Sequence, residues 1–189
     1  MSEVPYFVQL NEALDISQKR TIPVSINEID LDFCHNMILA EDLESKVDDP
    51  PFDNSAMDGF AMRHQDTINP PTTLDIIGTI QAAGQEDNIV VGENQAVRIM
   101  TGAPMPKGAD SILQIEMTEV NGEKVTLHKE SMKNFIRFKG ENLTKGQVAI
   151  SAGTLLTPSQ IGMCATMGYG KLKVYKPLKI AIISTGDEL

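Results

Sequence analysis

DPPFDNSAMDGFAMR, residues 49–63, is the stretch on which the reading of this chain turns. Pro50 and Pro51 restrict φ and favour an extended entry. Asn54 and Ser55 are residues whose side chains bond to nearby backbone, and Gly59 suits either a positive φ or a close approach of two backbones. Phe52, Met57, Phe60 and Met62 frame the segment with apolar side chains. The result is a stiffened loop that holds the carboxylate of Asp58 in a fixed place. On turn chemistry alone, a turn between two strands is the commoner use of such a segment, so a function for it must come from its surroundings.

Two further loops obey the same logic. Residues 97–100, VRIM, form an apolar strand that ends in Thr101 and Gly102, and Pro104 and Pro106 stiffen the loop beyond. The Thr101 hydroxyl can donate to an oxyanion; Arg98, on the strand before it, supplies positive charge or makes a structural ion pair. Near the end of the chain, the apolar run Ile180 to Ile183 delivers Ser184, Thr185, Gly186, Asp187 and Glu188. That pattern reads either as a buried edge strand with a polar tail or as a buried parallel strand with a polar loop at its carboxyl end, where open α/β sheets bind ligands.

Between these loops the character of the chain changes twice. Phe7, Leu10 and Leu14 recur at helical spacing, so residues 6–20 read as an amphipathic packing helix. Residues 21–29 read as extended and residues 34–43 as a short helix. From 47 to 139 the chain breaks into short β-type runs at 74–80, 96–100, 111–115 and 124–127, with an Asn121-Gly122 hairpin signal before the last. Turns at Gly146 and Gly153 come after them. Thr157, Pro158 and Gln160 then take the N-cap, first and third positions of a helix that Gly168 ends. The expected architecture is mixed α and β and multi-domain. An elongated discontinuous α/β-type domain (1–46 plus 140–176) carries an inserted β-rich domain (47–139), and residues 177–189 begin a further α/β domain.

Composition narrows the classes of function. The chain has 189 residues and a formal net charge of −10, which disfavours non-specific nucleic-acid binding. Its lack of Trp argues against a base-stacking platform. No apolar run approaches the roughly 20 residues of a membrane helix, and the N-terminus lacks a signal-peptide pattern. A cytoplasmic protein with no membrane partner is expected. Cys34 and Cys164 are far apart with no paired ligand spacing, and His35, His64 and His128 are scattered, so all five read as structural or surface residues.

The segment DNSAMDGFA resembles the N-S-A-M-D-G-[YF]-A signature of the molybdopterin molybdenumtransferases, the family of MoeA proteins and gephyrin E domains. VRIMTGAPMPKGAD (97–110) and KPLKIAIISTGDEL (176–189) match two further blocks in the same order. IRFKGENL (136–143) and GTLLTPSQIGMCATMGYGKLKVYKP (153–177) join them more weakly. The resemblance runs from about residue 8 to residue 189. The chain departs from it at Asn36 and Met37, where the family usually has Gly-Arg. It departs again at Asn142, which replaces an aspartate, loses a charge and argues against a metal role there.

The resemblance implies an enzyme that inserts molybdate into adenylylated molybdopterin with release of AMP, assisted by Mg²⁺. It implies Asp58 and Glu188 as catalytic residues and as holders of the metal, and Ser55, Gly59, Thr101, Thr185 and Asp187 as substrate-binding residues. It also implies a homodimer in the full-length protein, with molybdopterin adenylyltransferase as the supplier of substrate. The Gly-rich phosphate loop and a C-terminal β-domain of the family find no match in residues 1–189. On that comparison the chain is expected to be a fragment with an incomplete site, inactive alone. The alternative of another class is a dimeric non-catalytic scaffold of gephyrin E-domain type.

Overall fold

The structure, a computed structural model, describes residues 8–20, 23–82, 89–182 and 184. The chain forms two compact units, one of residues 1–43 with 150–189 and one of residues 44–149. Mixed α and β structure is what the described residues show, with strands in the majority.

The first unit opens with α1 (Leu10–Lys19), which has Glu12 in its first turn and Lys19 in its last, as the helix dipole favours. None of its residues is buried, and Leu10 and Leu14 lie exposed. The packing role expected of it is therefore absent among the described residues. β1 (Ile26–Asp30) comes next, at the end of the stretch 21–29 expected to be extended, of which residues 21 and 22 lie outside the described residues. The short helix expected at 34–43 is not there. Instead a 3-10 turn spans Leu31–Phe33, and Asn36 adopts φ 63°. A left-handed residue cannot be propagated as a right-handed helix, and the segment beyond it is extended. Ile38 bridges to Leu155, Leu39 bridges to Val174, and the N–H of fully buried Leu39 donates to the Thr154 carbonyl at 2.9 Å. Asn is among the few non-Gly residues that adopt this left-handed conformation readily.

The chain enters the second unit through β2 (Leu43–Glu44). It continues through β3 (Asn54–Ser55), β4 (Gly59–Met62), β5 (Thr72–Ile80), β6 (Gln95–Ile99), β7 (Ser111–Gln114), β8 (Thr118–Asn121), β9 (Lys124–Leu127) and β10 (Ile136–Arg137). Six of these form one sheet in the order β7-β4-β6-β5-β9-β8, in which β5 and β6 run parallel and the other neighbours antiparallel. Alternation along β4 sends Phe60 and Met62 into one buried cluster, with Leu74, Leu113, Val125 and Leu127. Ala61 goes into another, with Val97, Ile99 and Ile112. Both faces of β4 are thus covered, which accounts for its unbroken apolar run. The β8–β9 hairpin lies where the Asn-Gly signal put it, one residue along. Asn121 pairs with Lys124, so Gly122 (φ 61°) and Glu123 make the turn.

β11 (Val148–Ile150) pairs with β2 as the chain returns. Thr157 caps α2 (Pro158–Thr166), and the Gln160 side chain reaches back to accept the Thr157 N–H at 3.3 Å. Gly168, at φ 85°, lies just past the helix. β12 (Lys171–Tyr175) then pairs antiparallel with β1, burying Leu172 and Val174 while Lys171 and Lys173 face solvent. Beyond it, Leu178, Ile180 and Ile182 are 70–93% exposed and belong to no strand. No strand is assigned to residues 180–182 of the run expected to be a buried strand, and Ile183 lies outside the described residues.

Candidate functional site

Register within the sheet explains how Asp58 and Thr101 meet. Gly59, the first residue of β4, pairs with Ile99, the last of β6. The residue before one strand and the loop after the other therefore leave the sheet at the same edge. There the Thr101 N–H donates to Asp58 Oδ1 at 2.7 Å and the Thr101 hydroxyl donates to the same oxygen at 2.8 Å. These two bonds, led by the backbone one, hold the Asp58 carboxyl below the usual carboxylate range, and the charge of Arg98 adds to the effect. Asp58 is an exposed, ionised carboxylate with one oxygen saturated and Oδ2 free of protein partners among the described residues.

Gly59 serves close approach rather than positive φ. A Cβ there would stand 2.1 Å from the Leu113 carbonyl oxygen of β7. On the other side of Asp58, Ser55 is fully buried. Its hydroxyl donates to the Met57 carbonyl at 2.5 Å and accepts the Met57 N–H at 3.2 Å. Asn54 bonds the Phe52 carbonyl through its side-chain amide at 3.2 Å, as a turn-forming Asn should. The Asp58 carbonyl accepts the Ile115 N–H at 3.1 Å, so the peptides on both sides of the acid are fixed.

The acids around this loop are occupied by backbone. Asp53 accepts the Lys139 N–H, Asp48 accepts the Lys145 N–H, and Glu141 accepts the Phe138 N–H, all at 2.8–3.0 Å. Asn142 donates from its side chain to Asp49 at 3.0 Å, which an aspartate in its place could not do. Arg98 and Arg137 are exposed and make no ion pair among the described residues. Of the two sequence alternatives for Arg98, the ion pair is absent among the described residues, and its charge acts on Asp58 from nearby.

Among the described residues no group of three or more His, Cys, Asp or Glu side chains is placed to hold a metal. Cys34 and Cys164 are buried and free, and burial pushes both thiols up. His64 is structural: its Nδ1 lies 3.1 Å from the Ser131 carbonyl and its Nε2 3.3 Å from Glu130. It borders a recess of about 680 Å³ with Pro70, His128 and residues 129–134, which shares no residue with the Asp58–Thr101 pair. The sequence reading missed the buried hydroxyl cluster beneath it, where Ser131 lies 2.8 Å from both Thr67 and Ser111. Three hydroxyls separated by up to 64 positions leave no local signal. Thr185, Asp187 and Glu188 lie outside the described residues.

Comparison with known proteins gives a consistent picture. Residues 8–168 match the family model described as the MoeA N-terminal region, domains I and II. The chain is 37% identical over 192 residues to a molybdopterin molybdenumtransferase of Staphylococcus aureus, covering 96% of this chain and 44% of that protein. It is 37% identical over 169 residues to the one of Haemophilus influenzae, covering 88% and 41%. Among solved structures it is similar to a molybdopterin biosynthesis MoeA protein of Pyrococcus horikoshii, with TM-score 0.82 and 30% identity over 87% of this chain and 45% of that one. The chain spans less than half the length of these relatives.

Proposed function

This chain belongs to the MoeA family of molybdopterin molybdenumtransferases, and from that premise we propose that it contributes one wall of a site that inserts molybdate into adenylylated molybdopterin and releases AMP. A role in molybdenum cofactor biosynthesis follows from its relatives; the reaction is our reading. The observation that carries it is the Asp58–Thr101 pair: an ionised, exposed carboxylate held by two short bonds from one residue, at the end of β4, a strand buried on both faces. Preorganised groups of this kind favour transition-state charge without reorganising during reaction.

In this reading Asp58 keeps Oδ1 committed to Thr101 and offers Oδ2 outward. A single free carboxylate oxygen suits Mg²⁺, which binds through one or two carboxylates together with substrate phosphates and water. When bound, the ion would offset the charge of the phosphoanhydride. Glu188 is the second carboxylate of the proposed set, with Thr185 and Asp187 beside it; Gly59 admits the close backbone approach that fixes Asp58. The remaining length found in the relatives would supply the pterin and molybdate contacts. A second copy of the chain and a molybdopterin adenylyltransferase are the proposed partners. Residues 47–139 stand as the inserted domain of this scheme. No helix of the described residues is long and apolar enough to cross a membrane.

A complementation experiment tests the reading. An enzyme of the relatives' length carrying this sequence should restore molybdoenzyme activity to cells that lack their own molybdenumtransferase. Accumulation of the folded protein with no restored activity would overturn it.

A further inference from the structure

We propose that Ser55 is a positioning residue that sets the geometry of the Asp58–Thr101 pair, and not a residue that touches substrate. Four hydrogen bonds centred on this one residue carry the inference. Toward Asp58, the Ser55 hydroxyl donates to the Met57 carbonyl at 2.5 Å and accepts the Met57 N–H at 3.2 Å. The Met57 carbonyl belongs to the peptide that leads into Asp58, so this clasp fixes the plane from which the acid departs. Toward Thr101, the Ser55 carbonyl accepts the Gly102 N–H at 2.8 Å and the Ser55 N–H donates to the Ala103 carbonyl at 3.0 Å. Those bonds fix the two residues immediately after the threonine. One residue thereby ties down the carrier of the carboxylate on one side and the carrier of its two donors on the other.

Burial decides between positioning and binding. Ser55 has no exposed surface, and its hydroxyl both donates and accepts within the loop. A ligand would have to break this clasp to reach it. Small size and a single hydroxyl explain the residue type: the side chain must fold back onto the backbone two residues on, as Ser does in such turns. Alanine would fill the space and lose the clasp. The inference gives the pair its catalytic meaning only through the function proposed above, but the geometry it asserts is independent of any substrate.

The test is therefore made on the ¹⁵N-labelled chain without ligand, so that its failure is distinguishable from failure of the proposed reaction. The Thr101 amide, which donates a short charge-assisted bond, is the reporter, and the Val125 amide in the core of the same sheet is the reference. Ser55→Ala should move the Thr101 resonance away from its hydrogen-bonded position. It should also speed Thr101 amide exchange on the order of tenfold, the loss of about one ordinary hydrogen bond, and leave Val125 unchanged. Ser55→Thr keeps the hydroxyl and should keep the wild-type Thr101 signal. An unchanged Thr101 amide in Ser55→Ala overturns the proposal. Equal acceleration of Thr101 and Val125 also overturns it, by making Ser55 a general stability residue, and so does loss of the signal in a folded Ser55→Thr chain.

Discussion

At the scale of the residue, Asp58 and Gly59 divide geometry from charge. The Thr101 N–H and hydroxyl stabilise the ionised form of Asp58, so its folded pKa lies below its unfolded value. That contribution is fully present above the ordinary carboxylate value near 3.9 and is lost as pH falls through the folded pKa. Thr101→Val removes the hydroxyl bond and keeps the larger backbone one. A carboxyl-detected NMR titration should then show Asp58 moving up toward the ordinary value without reaching it; an unmoved titration would mean the hydroxyl bond does not act in solution. Gly59 tells a different story, because its substitution meets the Leu113 carbonyl and not solvent. Gly59→Val should cost about 3 kcal/mol or more by overpacking, read as a shift of the denaturant midpoint. The loop composition 49–63 announced that a glycine and a fixed acid were needed. It did not say which use Gly59 served, because approach to β7 is decided 54 positions away in sequence, at Leu113. Likewise Asp58 and Thr101 were each legible, but their bond to one another, across 43 positions, was not.

Elements defined by local rules follow the sequence most closely. α2 begins at Pro158 behind its Thr157 cap, and β9 occupies Lys124–Leu127, because capping and hairpin chemistry act within a few residues. Residues 34–43 fail for the opposite reason. Their apolar side chains allow a helix, but bridges to Leu155 and Val174 draw the backbone into extended pairing that no local signal reveals. The hairpin offers a clean check. Gly122 has φ 61° with open space around its Cβ position, so Gly122→Val meets backbone strain and no clash. Its expected cost is about 1–2 kcal/mol, while Gly122→Asn should cost much less. Equal losses for both in thermal melts would show that the turn is not held at positive φ.

For the molecule as a whole, the division at residues 43–44 and 149–150 gives the β-rich unit its own buried clusters on both faces of its sheet. Residues 44–149 expressed alone should therefore give a β-rich circular dichroism spectrum and a cooperative melt; a coil-like spectrum would contradict the division. The three sequence blocks made the family legible, because their motifs need specific residue types at fixed spacing. Thr185, Asp187 and Glu188 come only from the family resemblance, and they lie outside the described residues. The central claim is that Asp58 works by charge at a preformed position. The most direct measurement is molybdenum insertion into adenylylated molybdopterin by an enzyme of the relatives' length carrying Asp58→Asn, with its melting curve recorded alongside. The expected result is a rate lowered by about 100-fold or more with the melting temperature nearly unchanged. Insertion at close to the wild-type rate would contradict the claim.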